Sequence, residues 1–239
     1  MRKEISAMLF IAIFIMSTVA TAHANVSIDS TIEENIYVVI NITNLNQTIY
    51  DAAKTSPTFN GSALVQTIVQ NLRTQGHTMV TNSPQVNGFD DANRAIQVSF
   101  FLGGIDIISS AVNRTTLKRN FQVQTDWRKF QVSLTSNISI DFATYFAESV
   151  DKWQQLDFTD LNRNVHPSCY YETEGTEQLG KMSFRFILPS AATNVQATGD
   201  TITYDISLGF EDVFVGSPFP ILAIVIIVVL IALVYRRLR

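Results

Sequence analysis

The chain has 239 residues, of which 46% are hydrophobic and only 16% charged, with a net charge of −4 and one cysteine. Soluble proteins carry about 25% charged residues, and here Ser, Thr, Asn and Gln fill the deficit. The negative charge, without an internal run of Lys or Arg, excludes a nucleic-acid binder of the basic kind. The single thiol excludes an internal disulfide scaffold.

Residues 1–24 have the three parts of a secretory signal peptide. Arg2 and Lys3 give a basic start, residues 7–16 form an apolar run, and Ala-His-Ala at 22–24 is a small-x-small cleavage site. The run is shorter than the about 20 residues that span a bilayer. We therefore expect a mature N-terminus at Asn25, with an uncleaved N-terminal anchor as the alternative.

Residues 25–212 are predicted to form an acidic extracytoplasmic domain, with 12 basic and 20 acidic residues. Strict alternation of apolar and polar residues over 130–142 predicts one long half-buried strand, and residues 36–42 show the same pattern. Residues 193–208 are predicted to form a hairpin with Gly199 and Asp200 at the turn. Further strands are predicted at 77–86, 95–108, 115–125 and 181–188. The segment around Phe100 and Phe101 is interpreted as a strand buried on both faces, rather than a membrane-inserting loop.

Two segments have helical rather than alternating periodicity. Residues 61–75 place Leu64, Val65, Ile68 and Leu72 on one stripe, and residues 143–156 form a second stripe. Residues 157–180 are predicted to be a long polar surface loop. The expected fold class is α+β: a mostly antiparallel sheet with two helices packed on it, followed by one C-terminal transmembrane helix.

The C-terminal end has the composition of a membrane anchor. Residues 221–235 are entirely apolar, and residues 213–220 lengthen the uncharged stretch to 23 residues, enough to cross a hydrocarbon core of about 30 Å. Arg236, Arg237 and Arg239 follow as a stop-transfer cluster, which belongs on the cytoplasmic side. We predict a juxtamembrane segment and transmembrane helix at 213–235 and a cytoplasmic basic tail at 236–239, with a buried globular helix as the alternative.

A resemblance supports this assignment. The Ser-Pro-Phe-Pro motif at 217–220, the apolar run and the terminal arginines resemble the tripartite anchoring signals of PGF or PEF type on archaeal cell-surface proteins. The resemblance covers about 20 residues. It implies either a retained membrane anchor or a tail that a sorting enzyme exchanges for lipid.

The sequence also contains acceptor motifs for N-linked glycans, Asn-x-Ser/Thr with no proline in the middle. They occur at Asn25, Asn41, Asn46, Asn60, Asn113 and Asn137. The predicted strands place Asn41 and Asn137 on outward positions, and the remaining acceptors in loops or near caps. We expect at least two of these sites to carry glycans in a host that has N-glycosylation.

The sequence contains few candidates for a catalytic, metal-binding or cofactor-binding site. His166 and Cys169 are too few for a zinc site, so Cys169 is interpreted as a buried thiol, or alternatively as one that forms an intermolecular disulfide. Asp106, between two isoleucines, is interpreted as an outward-facing or capping carboxylate. No nucleophile elbow or phosphate-binding glycine loop is present in the sequence, and we predict no cofactor.

Three functions remain open at this point. The first is a non-enzymatic, single-pass cell-surface protein whose glycosylated domain contacts envelope components, a protein partner or another cell. The second is an accessory subunit of a larger membrane complex. The third, an exported hydrolase, has no recognisable catalytic constellation to support it.

Overall fold

The computed structural model describes residues 23–135, 138–146, 153–175 and 179–209, together with 226–228, 231 and 235–237. The strands in these ranges are β1 Ala24–Ile32, β2 Ile36–Thr43, β3 Thr81–Asn82, β4 Val86–Asp90, β5 Ala95–Gly103, β6 Ile108–Asn113, β7 Lys118–Gln124, β8 Gln131–Thr135, β9 Ile138–Asp141, β10 Gln154–Thr159, β11 Val165–Glu174, β12 Leu179–Ile187, β13 Thr193–Thr198 and β14 Thr201–Ser207. The helices of the domain are α1 Gln47–Thr55, α2 Ala63–Thr74 and α3 Phe142–Phe146, with a 3-10 turn at Asp126–Arg128.

The strands form three sheets. The large sheet has the order β10-β11-β12-β1-β2-β5-β3, and β4 also pairs with β5. The small sheet has the order β13-β14-β7-β6, and β8 pairs with β9 as a separate ribbon. Every pairing is antiparallel except that of β1 with β12. The predicted α+β class with a mostly antiparallel sheet is confirmed.

One face of the large sheet is buried and the other is open. In β1 and β2, side chains alternate between buried and partly exposed positions, as expected when successive residues point to opposite faces. The buried positions belong to the same core as Tyr50 of α1 and Leu64 and Ile68 of α2. The helices therefore share the core of one sheet face, and the opposite face is left to solvent.

Helix α2 confirms the prediction for residues 61–75. Leu64, Val65, Ile68 and Leu72 are buried, and the helix is followed by Gly76 with φ of +102°, a conformation that glycine adopts without a steric penalty. Helix α1 was not predicted, because it is only nine residues long and polar on average, although Tyr50 and Ala53 form a buried side. Its signal is the cap: the Asn46 side chain accepts a hydrogen bond from the Thr48 N–H at 2.9 Å.

The prediction of one long strand over 130–142 is wrong, because these residues form the β8–β9 hairpin. Gln131 pairs with Asp141 and Val132 with Ile140, whereas Thr135 pairs with Ile138 after a one-residue shift in register. Up to the Ser133–Ser139 pair, residues of equal parity lie opposite each other, and only the shifted Thr135–Ile138 pair joins an odd-numbered residue to an even-numbered one. The alternation of apolar and polar residues in the sequence is therefore the same in both strands and does not mark the reversal.

The described residues between 157 and 180 do not form the predicted loop. Strand β10 begins at Gln154, inside the predicted second helix, and β11 and β12 cover most of the remainder. Of that helix only Phe142–Phe146 is seen among the described residues. Strand β11 was not predicted because its exposed residues include Glu172 and Glu174, which made the segment look like a polar loop. Its Cys169 and Tyr171 face the core. The predicted strand at 95–108 is also corrected, since β5 ends at Gly103 and β6 begins at Ile108.

The remaining strand predictions are closer to the structure. The 193–208 hairpin is confirmed as β13 and β14, with Gly199 at φ +61° in the turn. Strands β7 and β12 match the predictions at 115–125 and 181–188. Among the described residues, no helix is both long and apolar enough to cross a membrane. Most of the predicted transmembrane segment, residues 213–235, lies outside the described residues, as does the signal peptide up to residue 22.

Candidate interaction face

The open face of the large sheet carries an exposed aromatic pair. Tyr37 on β2 and Phe101 on β5 are register partners, with ring centroids 4.8 Å apart and exposures of 38% and 48%. Their neighbours Val38 and Phe100 are buried on the other face. The strand is therefore not buried on both faces. Two adjacent phenylalanines in a strand cannot both face one core, and this adjacency was the signal that sequence reasoning missed.

A small cavity adjoins the aromatic pair. Its volume is about 250 Å³, and Thr31, Glu33 and Asn35 line it together with the two rings. A Cβ at Gly103 would meet the Asn35 side-chain oxygen, so the glycine leaves the space that Asn35 occupies. The cavity therefore combines aromatic walls with a carboxylate and an amide.

The opposite end of the same face combines aromatic rings with an arginine. The Arg185 guanidinium lies 5.1 Å from the ring centroid of Tyr170 and 5.4 Å from that of Phe158, within cation–π range. Its Nη1 is 3.9 Å from Asp29 Oδ1. Burial raises the pKa of Asp29, and the charge of Arg185 partly opposes that rise. This set of side chains, Tyr37, Phe101, Phe158, Tyr170, Arg185 and Asp29, is termed the open face below.

One acidic group beside the open face is held in its charged form. Glu172 accepts hydrogen bonds from the Tyr170 hydroxyl at 2.6 Å and from Lys181 Nζ at 2.9 Å. Both hydrogen bonds lower the pKa of Glu172, and the one from Tyr170 has the larger effect. The charge on this part of the face is therefore present at neutral pH and paired.

The glycan acceptors differ in accessibility. Asn46 and Asn113 are exposed, and each accepts backbone hydrogen bonds through Oδ1, while a glycan attaches to Nδ2. Asn60 is exposed too, but its Nδ2 donates to the Lys54 carbonyl. Asn25 is half-buried in β1, not in a loop as predicted, and its Oδ1 accepts from the Lys181 N–H at 2.9 Å.

Asn41 lies on the outward register of β2, as predicted, but is half-buried within the sheet. Its Oδ1 accepts from Gln97 Nε2 at 2.9 Å, and its Nδ2 lies 3.5 Å from Ser27 Oγ. Both polar ends of the amide are therefore engaged with neighbouring strands. Asn137 lies outside the described residues.

Cys169 lies on the core side of β11 with its side chain fully buried. Burial raises the pKa of its thiol to about 11, which suppresses the reactive thiolate. An intermolecular disulfide would require β11 to open. Among the terminal arginines, Arg236 and Arg237 are exposed, and Arg239 lies outside the described residues.

Asp106 acts as a capping carboxylate, accepting a hydrogen bond from the Met79 N–H at 2.6 Å. In the described part of the chain, no group of three His, Cys, Asp or Glu residues is placed to hold a metal ion.

An ionic cluster surrounds the 3-10 turn, and it was not predicted from the sequence. The fully buried Arg128 donates to Thr125 and forms an ion pair with Asp200 at 2.8 Å. His77, just after α2, contacts Asp126 at 2.8 Å. The cluster thereby connects the 3-10 turn to α2 and to the turn of the β13–β14 hairpin. We assign it a structural role.

Comparison of the chain with protein-family models, with curated proteins and with solved structures finds no match. The geometry of the open face therefore carries the functional argument.

Proposed function

We propose that this protein is a single-pass, membrane-anchored surface protein whose domain binds a protein partner through the open face. The observation that carries the proposal is the exposed Tyr37–Phe101 pair, backed by a rigid sheet. Tyr, Phe and Arg are enriched at the centres of protein interfaces, where a few of them supply most of the binding energy. The open face presents these residue types together on one surface.

The ends of the chain support the surface location. The signal-like residues 1–24 and the terminal arginines give an outside domain and a cytoplasmic tail. Ile226, Ile227 and Val228 are 49–58% exposed and Ile231 is 65% exposed, so these apolar side chains remain free to contact lipid. The glycan acceptors and the resemblance to archaeal anchoring signals point to the same location.

Photo-crosslinking of the full-length protein in its own membrane tests the partner. A benzophenone amino acid replaces Phe101, and the control places it at Gln70, which is exposed on α2. We expect a discrete protein adduct from position 101 and none from position 70. A partner in the same membrane would identify an accessory subunit, whereas a partner on another cell would identify adhesion. Equal labelling from both positions would reject the open face as the interface.

Substitution tests the same surface by affinity. The partner identified by crosslinking is then co-purified with variants that carry no crosslinker. Phe101→Ser is expected to lower the amount of co-purified partner by about tenfold, because an interface anchor is lost. Leu161→Ser is the control, because Leu161 is another exposed apolar residue but lies away from the open face, in the turn between β10 and β11. An unchanged partner yield with Phe101→Ser would contradict the proposal.

A further inference from the structure

The small sheet carries a second candidate site, distinct from the open face. Three successive residues from each of its four strands line a cavity of about 570 Å³. Tyr204 is buried, and its ring stacks on that of Phe121 at 4.9 Å. Because successive strand residues point to opposite faces, the neighbours of this pair project to the other side. We place the cavity on that side, because Tyr204 belongs to the core and Phe121 packs against it.

The cavity face is rich in side-chain amides. The exposed ones are Asn120 and Gln122 on β7 and Asn194 and Gln196 on β13. Thr203, Asp205 and Ser109 lie between and beside them on β14 and β6. These residues are termed the amide groove.

Asp205 fixes the orientation of two of these amides, those of Asn120 and Asn194. Its Oδ2 accepts from Asn194 Nδ2 at 2.7 Å, and its Oδ1 accepts from Asn120. Lys118 Nζ is 3.5 Å from the same carboxylate, so the charge of Asp205 is offset within the groove. An amide has two N–H donors and a carbonyl acceptor. Each asparagine therefore keeps one N–H and its oxygen for a ligand while its orientation is fixed.

We propose that the amide groove binds a neutral polyhydroxylated ligand, a glycan. A hydroxyl group both donates and accepts, and so do the amides and hydroxyls of the groove. The offset charge of Asp205 gives no preference for an ion. The volume lies within the range of about 300–1,000 Å³ for small-ligand sites. Of the four apolar residues that line the cavity, Phe121, Val195 and Tyr204 pack in or against the core, and Ala111 is left on the side of the amides. This disfavours a peptide that needs apolar anchors.

This inference goes beyond the proposed protein partner and does not depend on it. The test uses the full-length protein in a zwitterionic detergent without a sugar headgroup. The probes are soluble mannan, dextran, galactan and chitin oligomers, with polygalacturonate as an anionic comparison, and calorimetry measures binding. We expect saturable binding of at least one neutral probe and weaker binding of polygalacturonate. Binding of none of the neutral probes would overturn the inference, as would tighter binding of the anionic one.

Variants separate the groove from adventitious binding. Gln122→Ala with Gln196→Ala is expected to lower affinity by about tenfold, the equivalent of about two hydrogen bonds. The matched control is Gln66→Ala with Gln70→Ala, which removes two exposed glutamines of α2. Ala111→Trp fills the cavity and should abolish binding, with near-ultraviolet circular dichroism verifying the fold. Equal loss in both double variants would overturn the inference. Crosslinking from position 101 has an independent outcome, so failure of either proposal is distinguishable from failure of the other.

Discussion

At the scale of single residues, Arg128 is the side chain on which we expect stability to depend most. Its guanidinium is fully buried, and it bonds to the Thr125 carbonyl and hydroxyl at 2.8 and 2.7 Å and to Asp200 at 2.8 Å. It also lies 5.7 Å from the Trp153 ring. Burial lowers the pKa of Arg128, and the charge of Asp200 opposes that change. The ion pair with Asp200 therefore keeps the Arg128 guanidinium charged although it is buried.

Arg128→Met is expected to destabilise the protein by about 2–3 kcal/mol, since it removes the charge-assisted bonds of a buried guanidinium to Thr125 and Asp200, while Lys129 still pairs with Asp200. Urea unfolding followed by tryptophan fluorescence measures this, because Trp127 and Trp153 both pack on Phe184 and Phe186 in the core. The control is Lys54→Met, which breaks the exposed pair with Asp91 and should cost less than about 1 kcal/mol. Similar losses in both variants would contradict a special role for the buried pair.

The asparagines give a second residue-scale prediction, on glycan occupancy. Asn46 and Asn113 are exposed and use Oδ1 for their caps, so we expect both to be glycosylated in a host with N-glycosylation. Asn41, held between Ser27 and Gln97, is expected to remain unmodified. Intact mass should therefore fall by one glycan in Asn46→Gln and in Asn113→Gln, but not in Asn41→Gln. A glycan lost only in Asn41→Gln would reverse this ranking.

At the scale of elements, Gly104 lies where the chain leaves the large sheet for the small one, between β5 and β6. Its φ is +107°, and an added Cβ would lie 2.0 Å from the Met79 carbonyl oxygen. Its own carbonyl accepts from the N–H groups of Ile107 and Ile108. The crossover therefore requires both a left-handed backbone and the absence of a side chain.

Gly104→Ala is expected to destabilise the protein by about 3 kcal/mol, because backbone strain adds to a clash with backbone that cannot move aside. Gly199→Ala is the matched control, since Gly199 has φ of +61° but open space around it. That control should cost about 1–2 kcal/mol, the backbone penalty alone. Urea unfolding measures both, and a smaller loss in Gly104→Ala than in Gly199→Ala would refute the steric argument.

The elements that were predicted correctly are those whose sequence pattern is typical of only one kind of secondary structure. Helix α2 combines an apolar stripe with a glycine stop, and the β13–β14 hairpin has Gly199 at its turn. Strand β11 was missed because its outward residues are acidic and Pro167 interrupts it. The β8–β9 reversal was missed because residues of equal parity pair up to Ser133 and Ser139, so both strands show the same alternation in the sequence. The open face and the amide groove arise from strands far apart in sequence, and only pairing brings them together.

At the scale of the whole molecule, hydrogen-bonded and ion-paired aspartates in several parts of the domain determine its response to acid. Burial raises the pKa of Asp200, but the hydrogen bond from Lys129 and the charge of Arg128 outweigh it, so the pKa is lowered. Hydrogen bonds from Asn194 to Asp205 and from Asn164 to Asp160 lower the pKa values of those groups. These three aspartates lie in different parts of the domain. Asp200 is in the turn between β13 and β14, Asp205 is in the amide groove, and Asp160 is in the turn between β10 and β11.

A carboxyl group with a lowered pKa in the folded state binds its proton less tightly there than in the unfolded chain. Its contribution to stability is complete above the unfolded aspartate pKa of about 3.9 and is lost as the pH falls through the folded value. Asp29 has a raised pKa, so its contribution changes in the opposite direction. Because Asp160, Asp200 and Asp205 together oppose this one group, the net effect of acid is destabilising.

The midpoint of thermal unfolding is therefore expected to change little between pH 7 and about 5 and to fall steeply below about pH 4. Tryptophan fluorescence of the full-length protein measures it across this range. Asp200→Asn removes the ionisable group next to Arg128, so that variant should start with a lower midpoint and show a shallower acid slope. Glu34→Gln, exposed between β1 and β2, should retain the slope of the parent protein. A midpoint that rises on acidification, or an Asp200→Asn slope as steep as that of the parent, would show that these carboxylates do not carry the acid sensitivity.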